Sequence, residues 1–200
     1  MNVLVGCEFS AIVRQAFARR GHNAWSCDLL PSEIPGNHYQ KNLLDVIDGN
    51  WDLLIAHPPC TFLAVSGARW WKGREKQQEE AIAFVLALFN CGIPKIAIEN
   101  PIGKISSVFR PPDQIIQPWM FGHGETKATC LWLKGLPLLH PTHVVQGRMA
   151  RVHRMPPSPQ RGKERSRTFF GIAEAMADQW GNVDFPCIPL QLTLKLNPQA

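Results

Sequence analysis

Apolar residues follow two different spacings along this chain. Residues 2–7 (NVLVGC) form a short apolar run with β-branched side chains, which predicts a buried strand. Ser10 then stands where a helix N-cap belongs. Ile12, Val13, Ala16 and Phe17 repeat at helical spacing, and Gly21 supplies the C′ stop. Residues 24–27 (AWSC) predict a second strand ending at Asp28, and residues 51–56 (WDLLIA) another that runs into His57-Pro58-Pro59-Cys60. Residues 75–91 carry Ala81, Ile82, Val85, Leu86 and Phe89 on one helical side, closed by Gly92. Residues 93–98 (IPKIAI) predict a strand ending at Glu99, and residues 128–133 (ATCLWL) a later one. Ile172, Met176 and Trp180 mark a last helix at i, i+4, i+8. Strands alternating with helices imply an α/β domain around a mostly parallel sheet with helices on both faces.

Residues 30–40 and the proline-rich stretch 155–162 (MPPSPQRG) read as loops. The tail from residue 182 mixes prolines with an alternating apolar stretch, which predicts an edge strand or a segment draped over the domain. At 200 residues the chain suits one domain, spanning 1–181, followed by that tail. It contains no uncharged apolar run of about 18 residues, so no membrane span is expected. The first residues show no basic n-region, so they are not read as a signal peptide and a cytoplasmic location is the default. The six cysteines include no CxxC pair, which argues against a zinc site and against a disulfide framework. Charge changes the picture more. Seven basic residues lie between Arg148 and Arg167 against Glu164 alone, so this segment carries +6 and the rest of the chain −1. A concentrated basic run is the electrostatic footprint of a polyanion partner.

Ligands of a parallel α/β sheet bind beyond the carboxyl ends of its strands. Those ends carry Cys7-Glu8-Phe9-Ser10, Asp28, His57-Pro58-Pro59-Cys60 and Glu99-Asn100-Pro101, which brings a thiol and a carboxyl group toward one pocket. An acid after the second strand is the usual partner of a ribose diol.

Several segments then match one family in order and spacing over residues 1–181. DLLIAHPPCTFLAVSG (52–67) resembles the catalytic motif of cytosine-C5 DNA methyltransferases, and IAIENP (96–101) resembles their Glu-Asn-Val motif. EFSAIVRQAFARRGHNAWSCD (8–28) is similar to the family's cofactor loop, helix and acidic strand end. FGHGETKATCLWL (121–133) aligns with its glutamine-x-arginine-x-arginine strand, and FGIAEAMADQW (170–180) resembles its last cofactor-side helix. The whole chain also resembles small phage and prophage proteins described as cytosine methyltransferases.

The resemblance implies a Rossmann-like, S-adenosylmethionine-dependent methyltransferase fold acting on DNA, with Cys60 and Glu99 catalytic. C5 of cytosine is too electron-poor to attack a methyl sulfonium, and a thiolate adding at C6 makes C5 nucleophilic. Cys60 is the implied nucleophile. Glu99, its pKa raised by burial, is the implied proton donor to N3. For the cofactor the resemblance implies Glu8, Phe9, Ser10, Ala11 and Ile12 near the methionine part, Asp28 on the ribose, Asn42 and Leu43 near the adenine, and Pro58 beside them. For the substrate it implies Pro59, Ser66, Asn100, Lys127 and Thr129, with Arg161, Lys163 and Arg165 contacting phosphates. Arg69, Trp70 and Trp71 are candidates for stacking on a flipped base.

Departures from the family are specific. Ser10-Ala11-Ile12 replaces its glycine-rich loop, Asn42 replaces an aspartate, and Glu125, Lys127 and Thr129 replace glutamine and two arginines. Residues 134–170, basic and loop-rich, stand in place of a full target-recognition domain, which leaves room for a partner subunit or homodimer to complete recognition. Two further readings stay open: a pyrimidine-C5 methyltransferase for RNA or free nucleotides, and a non-catalytic relative that binds nucleic acid.

Overall fold

Along every central strand, successive side chains enter different cores. In the computed structural model, which describes residues 1–182, Val3, Val5, Leu53, Ile55, Ala97, Leu131 and Leu133 join one apolar cluster. Their neighbours Leu4, Leu54, Ala56, Ile96, Ile98, Cys130 and Trp132 join the other. This period of two, apolar on both sides, is the signature of a sheet covered on both faces. The strands are β1 (Asn2–Gly6), β2 (Asn23–Asp28), β3 (His38–Gln40), β4 (Leu53–Ala56), β5 (Lys95–Pro101), β6 (Gln114–Ile116) and β7 (Thr129–Lys134). They form one sheet in the order β3-β2-β1-β4-β5-β7-β6. Pairing is parallel from β3 to β5, and β7 runs antiparallel to both β5 and β6. The fold is therefore the Rossmann-like, mostly parallel α/β arrangement expected, and its strand order reverses between β1 and β4, opening a crevice there.

Helices α1 (Ile12–Ala18) and α6 (Phe170–Trp180) cover one face, where Val13, Ala16, Phe17, Ile172, Met176 and Trp180 are buried. Helices α2 (Glu75–Asn90) and α3 (Ile105–Val108) cover the other through Ile82, Val85, Leu88 and Ile105. Gly21 closes α1 as expected. At φ +80° it lets its own N–H reach the Ala18 carbonyl (3.0 Å) while the His22 N–H reaches that of Phe17 (3.3 Å).

Four features differ from the sequence reading. The loop-like stretch 30–40 contains the short edge strand β3, and a second short strand, β6, escaped notice. Strand β5 does not stop before Glu99 but continues through Glu99, Asn100 and Pro101. Antiparallel β7 supplies partners there after β4 has ended at the Ala56–Ile98 pair. The basic segment is not all loop, since it holds the short helices α4 (Arg151–Arg154) and α5 (Arg161–Ser166). Finally, Ser10 is not the principal cap of α1. Ala11 occupies that position in a left-handed conformation (φ 60°), and the Glu8 carboxylate accepts the backbone N–H groups of Val13 (2.6 Å) and Arg14 (3.2 Å). A carboxylate bonds amides at a helix start more strongly than a neutral hydroxyl does. The tail read as an edge strand or a draped segment lies, from residue 183 on, outside the described residues.

Replacing Glu8 by Ala leaves two buried N–H groups without acceptors and is expected to destabilise the fold by about 1–3 kcal/mol. Thermal unfolding monitored by circular dichroism measures this, and an unchanged melting temperature would show that the cap carries no stability.

Candidate active site

The site begins where β4 ends. Past Ala56 the chain continues as His57, whose backbone N–H still bonds Gly6 of β1 (2.9 Å), and then turns through Pro58 and Pro59. Asn100 on β5 holds this turn by donating from Nδ2 to the Pro58 carbonyl (2.8 Å). The Cys60 carbonyl accepts N–H groups from Leu63 (3.0 Å) and Ala64 (2.9 Å), which fixes the cysteine at the head of a tight turn. The stretch after β5 clamps that turn from the far side, where Lys104 N–H bonds the Leu63 carbonyl (2.8 Å) and Val65 N–H that of Ile102 (3.0 Å). Gly103 permits the approach, because a Cβ there would lie 2.0 Å from the Leu63 carbonyl oxygen. Sequence reasoning did not single out Gly103, and nothing local marks it.

Glu99 follows Ala97 by two residues and so faces the α1/α6 side of the sheet. Its carboxylate Oε2 lies 3.1 Å from His57 Nδ1, with side-chain exposures of 14% for Glu99 and 8% for His57. A carboxylate only accepts, so Nδ1 carries the proton of this bond. Burial pushes the Glu99 carboxyl up, but the His57 hydrogen bond and the Lys127 charge together hold it below its ordinary value. The expected raised pKa is thus reversed, because the buried acid is not alone. The Cys60 thiol is displaced the other way. Burial of the group raises it most and the Glu99 charge adds to this, against smaller opposing effects of Lys127 and Arg165. Cys60 as a residue is nonetheless exposed, so its turn opens to solvent while the thiol sits among protein atoms. Cys60, Glu99, His57, Lys127 and Arg165 therefore form one electrostatic unit. Thr129 is buried on β7 and its hydroxyl is engaged, donating to the Lys127 carbonyl (3.1 Å). Ser66 lies in the exposed turn Val65–Trp70 after Cys60, and Trp70 beside it is exposed under the Arg69 guanidinium (5.0 Å).

A cavity of about 440 Å³ opens on the α2 side of the crevice. Asp28, Asn42 and Leu43 line it as expected, together with Pro59, Phe62 and Phe84. Asp28 Oδ1 accepts the Leu30 N–H (2.9 Å) and Asn42 Oδ1 the Leu44 N–H (3.0 Å), so both side chains are held in place. Gly6 makes room for Leu43, whose Cδ2 would lie 2.3 Å from a Cβ at that position. Two carboxylates (Asp28, Glu80), two amides (Asn42, Gln77) and Lys41 stand among its apolar walls, a mixed lining that suits a ligand with both polar and apolar parts.

The segment Glu8–Ile12 does not line this cavity. Glu8, Phe9, Ser10 and Ala11 are buried, and burial pushes the Glu8 carboxyl up despite the opposing His57 charge and backbone bonds. Helix α5 lies over Phe9, with Lys163 Nζ at 4.8 Å and the Arg167 guanidinium at 5.5 Å from its ring. Both cations also pair with Glu33, Lys163 at 3.1 Å and Arg167 Nη2 at 2.8 Å. Arg161 Nε donates to the Met155 carbonyl (2.8 Å), and Arg151 binds Glu125 (2.8 Å). Much of the basic segment is thus tied to its own domain. Among the described residues the side chains of Arg154 and Arg165 show neither a hydrogen bond nor an ion pair. Sequence reasoning assigned His57 no role, although its place between strand β4 and the prolines was a signal.

The electrostatics of Cys60 are directly measurable. Because the Glu99 charge holds the thiol up, Glu99→Gln is expected to speed iodoacetamide alkylation of Cys60 at pH 7.5, about several-fold. Lys127→Gln is expected to slow it. Peptide-resolved mass spectrometry reads both rates, and equal rates in all three proteins would mean that these charges do not reach the sulfur.

No protein-family model matches the chain, and no curated protein sequence does. Among solved structures it is similar to an E. coli protein described as a "putative DNA modification methyltransferase encoded within prophage", with a TM-score of 0.48 and 15% identity. The match covers 78% of this chain and 55% of that one, so the chain spans little more than half that protein's length.

Proposed function

We propose that this protein transfers a methyl group from S-adenosylmethionine to C5 of cytosine in DNA through a covalent Cys60 adduct. The observation that carries the reading is the convergence of Cys60, in the turn after β4, and the buried Glu99 on adjacent strand β5, close enough for the Glu99 charge to raise the Cys60 thiol. A thiol and a carboxyl group in one crevice are the two groups that addition to a pyrimidine C5–C6 bond needs.

Cys60 as thiolate bonds to C6, and the displaced electron pair is delocalised toward N3. Glu99 in its acid form gives a proton to N3 and takes it back when the C5 proton is lost to water and the C6–S electron pair returns to the sulfur. Lys127 offsets the negative charge that the pair carries, and Pro58, held by Asn100, fixes the turn that aims the sulfur. The cavity beside this turn fits the nucleoside part of the cofactor, held by Asp28, Asn42 and Leu43. When bound there the cofactor supplies an electrophilic methyl group. Phe9, beneath α5, would help hold its amino-acid end. Arg154 and Arg165, with Lys127, Trp70 and Arg69, offer cations and an aromatic face to a nucleic-acid strand, which favours a polymer over a free nucleotide. A second reading, binding without turnover, draws on one observation: Ala11 and the Glu8 cap occupy the loop where the related enzymes carry glycines.

Tritium transfer from labelled cofactor to duplex DNA, followed by nucleoside analysis, tests the proposal. The expected product is 5-methylcytosine, and Cys60→Ser is expected to fall below about 1% of wild-type rate with cofactor affinity unchanged, since a hydroxyl is far less ionised and nucleophilic than a thiol. A Cys60→Ser protein that keeps most of its rate would overturn the covalent mechanism.

A further inference from the structure

His57 lies in the crevice without a part in the chemistry described so far. Its imidazole is nine-tenths buried, Nδ1 is bonded to Glu99 Oε2 at 3.1 Å, and Nε2 is buried with no partner among the described residues. A histidine kept in such a place, with half its hydrogen-bonding capacity unmet, is costly unless the bond it does make is worth keeping. The two residues are also well placed to act on one another. Glu99 stands beyond the last β4–β5 pair, so the β4 side of its backbone faces no strand, and His57 is the first residue after β4. Ala56 faces the α2 side, so alternation sends the next side chain, His57, to the same face of the sheet as Glu99. Strand pairing with β7 fixes the Glu99 backbone, and the His57 bond fixes its carboxyl group.

We propose that His57 is the positioning residue for Glu99: by holding Oε2 it leaves Oε1 to carry the proton that is given to the pyrimidine N3. This inference rests on the cytosine-methylating reading of the site. During addition the S–C6 bond forms, N3 takes the proton from Oε1, and the resulting carboxylate keeps its bond from Nδ1. On elimination the C5 proton passes to water, its electron pair re-forms C5=C6, the C6–S pair returns to Cys60, and the N3 proton returns to Oε1, so His57 gains and loses none. The bond also sets the acidity of Glu99, because a donor to the carboxylate favours the ionised form. The other groups that bear on the pair are Lys127 and the thiols of Cys60 and Cys130 around Glu99, and Glu8, with Arg14 beside it, on the far side of His57.

Two variants separate positioning from mere packing. His57→Asn offers an amide N–H near the place of Nδ1, and His57→Phe offers none. The single-turnover rate of methyl transfer is expected to fall at least about tenfold in His57→Phe and no more than about threefold in His57→Asn, with the KM for DNA unchanged. The low-pH limb of the rate profile belongs to the lower of the two ionisations, that of Glu99. Loss of the donor raises that ionisation, so the limb is expected at higher pH in His57→Phe and at the wild-type position in His57→Asn. Carbon-13 carboxyl titration of Glu99 in the resting protein reads the same upward shift without requiring turnover. If the two variants match each other in rate and limb, or the carboxyl titration does not move in His57→Phe, the proposal is wrong. A wild-type protein that methylates nothing while its Glu99 titration still responds to His57→Phe refutes the methylating reading separately from the pairing.

Discussion

Beyond Ile98 the central sheet has a partner on one side only. Strand β4 stops at Ala56, while β7, running antiparallel, holds β5 through Glu99, Asn100 and Pro101. This mismatch in strand length is the constraint on which the site depends. It places a carboxyl group and an amide on rigid, hydrogen-bonded backbone while leaving the adjacent position empty of strand. His57, Pro58, Pro59 and Cys60 occupy that position. His57 and Pro58 are tied to the overhanging part of β5 through the His57–Glu99 and Asn100–Pro58 bonds, and the turn headed by Cys60 is clamped at Leu63 by the close approach of Gly103. Site residues mounted on strands in this way are held more narrowly than residues on a free loop.

The same arrangement decides where protons reside. Glu99 is held below its ordinary value and Cys60 above its own, so the resting site at neutral pH is a thiol beside a carboxylate. The proposed addition requires the opposite distribution, a thiolate beside an acid. The total number of protons is already correct, so the change is one of which group carries the proton. A bound pyrimidine that accepts a hydrogen bond at N3 favours the acid form of Glu99, which in turn lowers the electrostatic cost of the Cys60 thiolate. Lys127 and Arg165 favour the thiolate throughout. The nucleophile is thereby quiet in the absence of substrate, although its turn faces solvent.

Features written at period two or period three to four were legible in the sequence. The two-faced strands, the helix ended by Gly21 and the buried row Ile172, Met176, Trp180 follow from burial and local backbone geometry. Cys60, Glu99 and Asp28 were legible as candidates because strand ends collect ligands in this fold, Asn42 and Leu43 only through the family resemblance, and Asp28, Asn42 and Leu43 do line the cavity. What escaped notice depends on partners far away in the chain. His57 and Glu99 are 42 residues apart, and Arg167 finds Glu33 across 134 residues. Strands β3 and β6 span three residues each, too few for a period to show. The capping role of Glu8 was hidden by Ser10, a good cap by type, which the left-handed turn at Ala11 displaces from that role.

The central claim is that Cys60 bonds covalently to a cytosine ring. Incubation with duplex DNA carrying 5-fluorocytosine and with S-adenosylmethionine tests it most directly, because fluorine at C5 cannot leave as a proton and the adduct persists. The account requires a protein–DNA species that survives denaturation, appears only with cofactor, and maps by peptide mass spectrometry to the peptide containing Cys60. DNA that binds without forming such a species, or an adduct mapped to another residue, would contradict it.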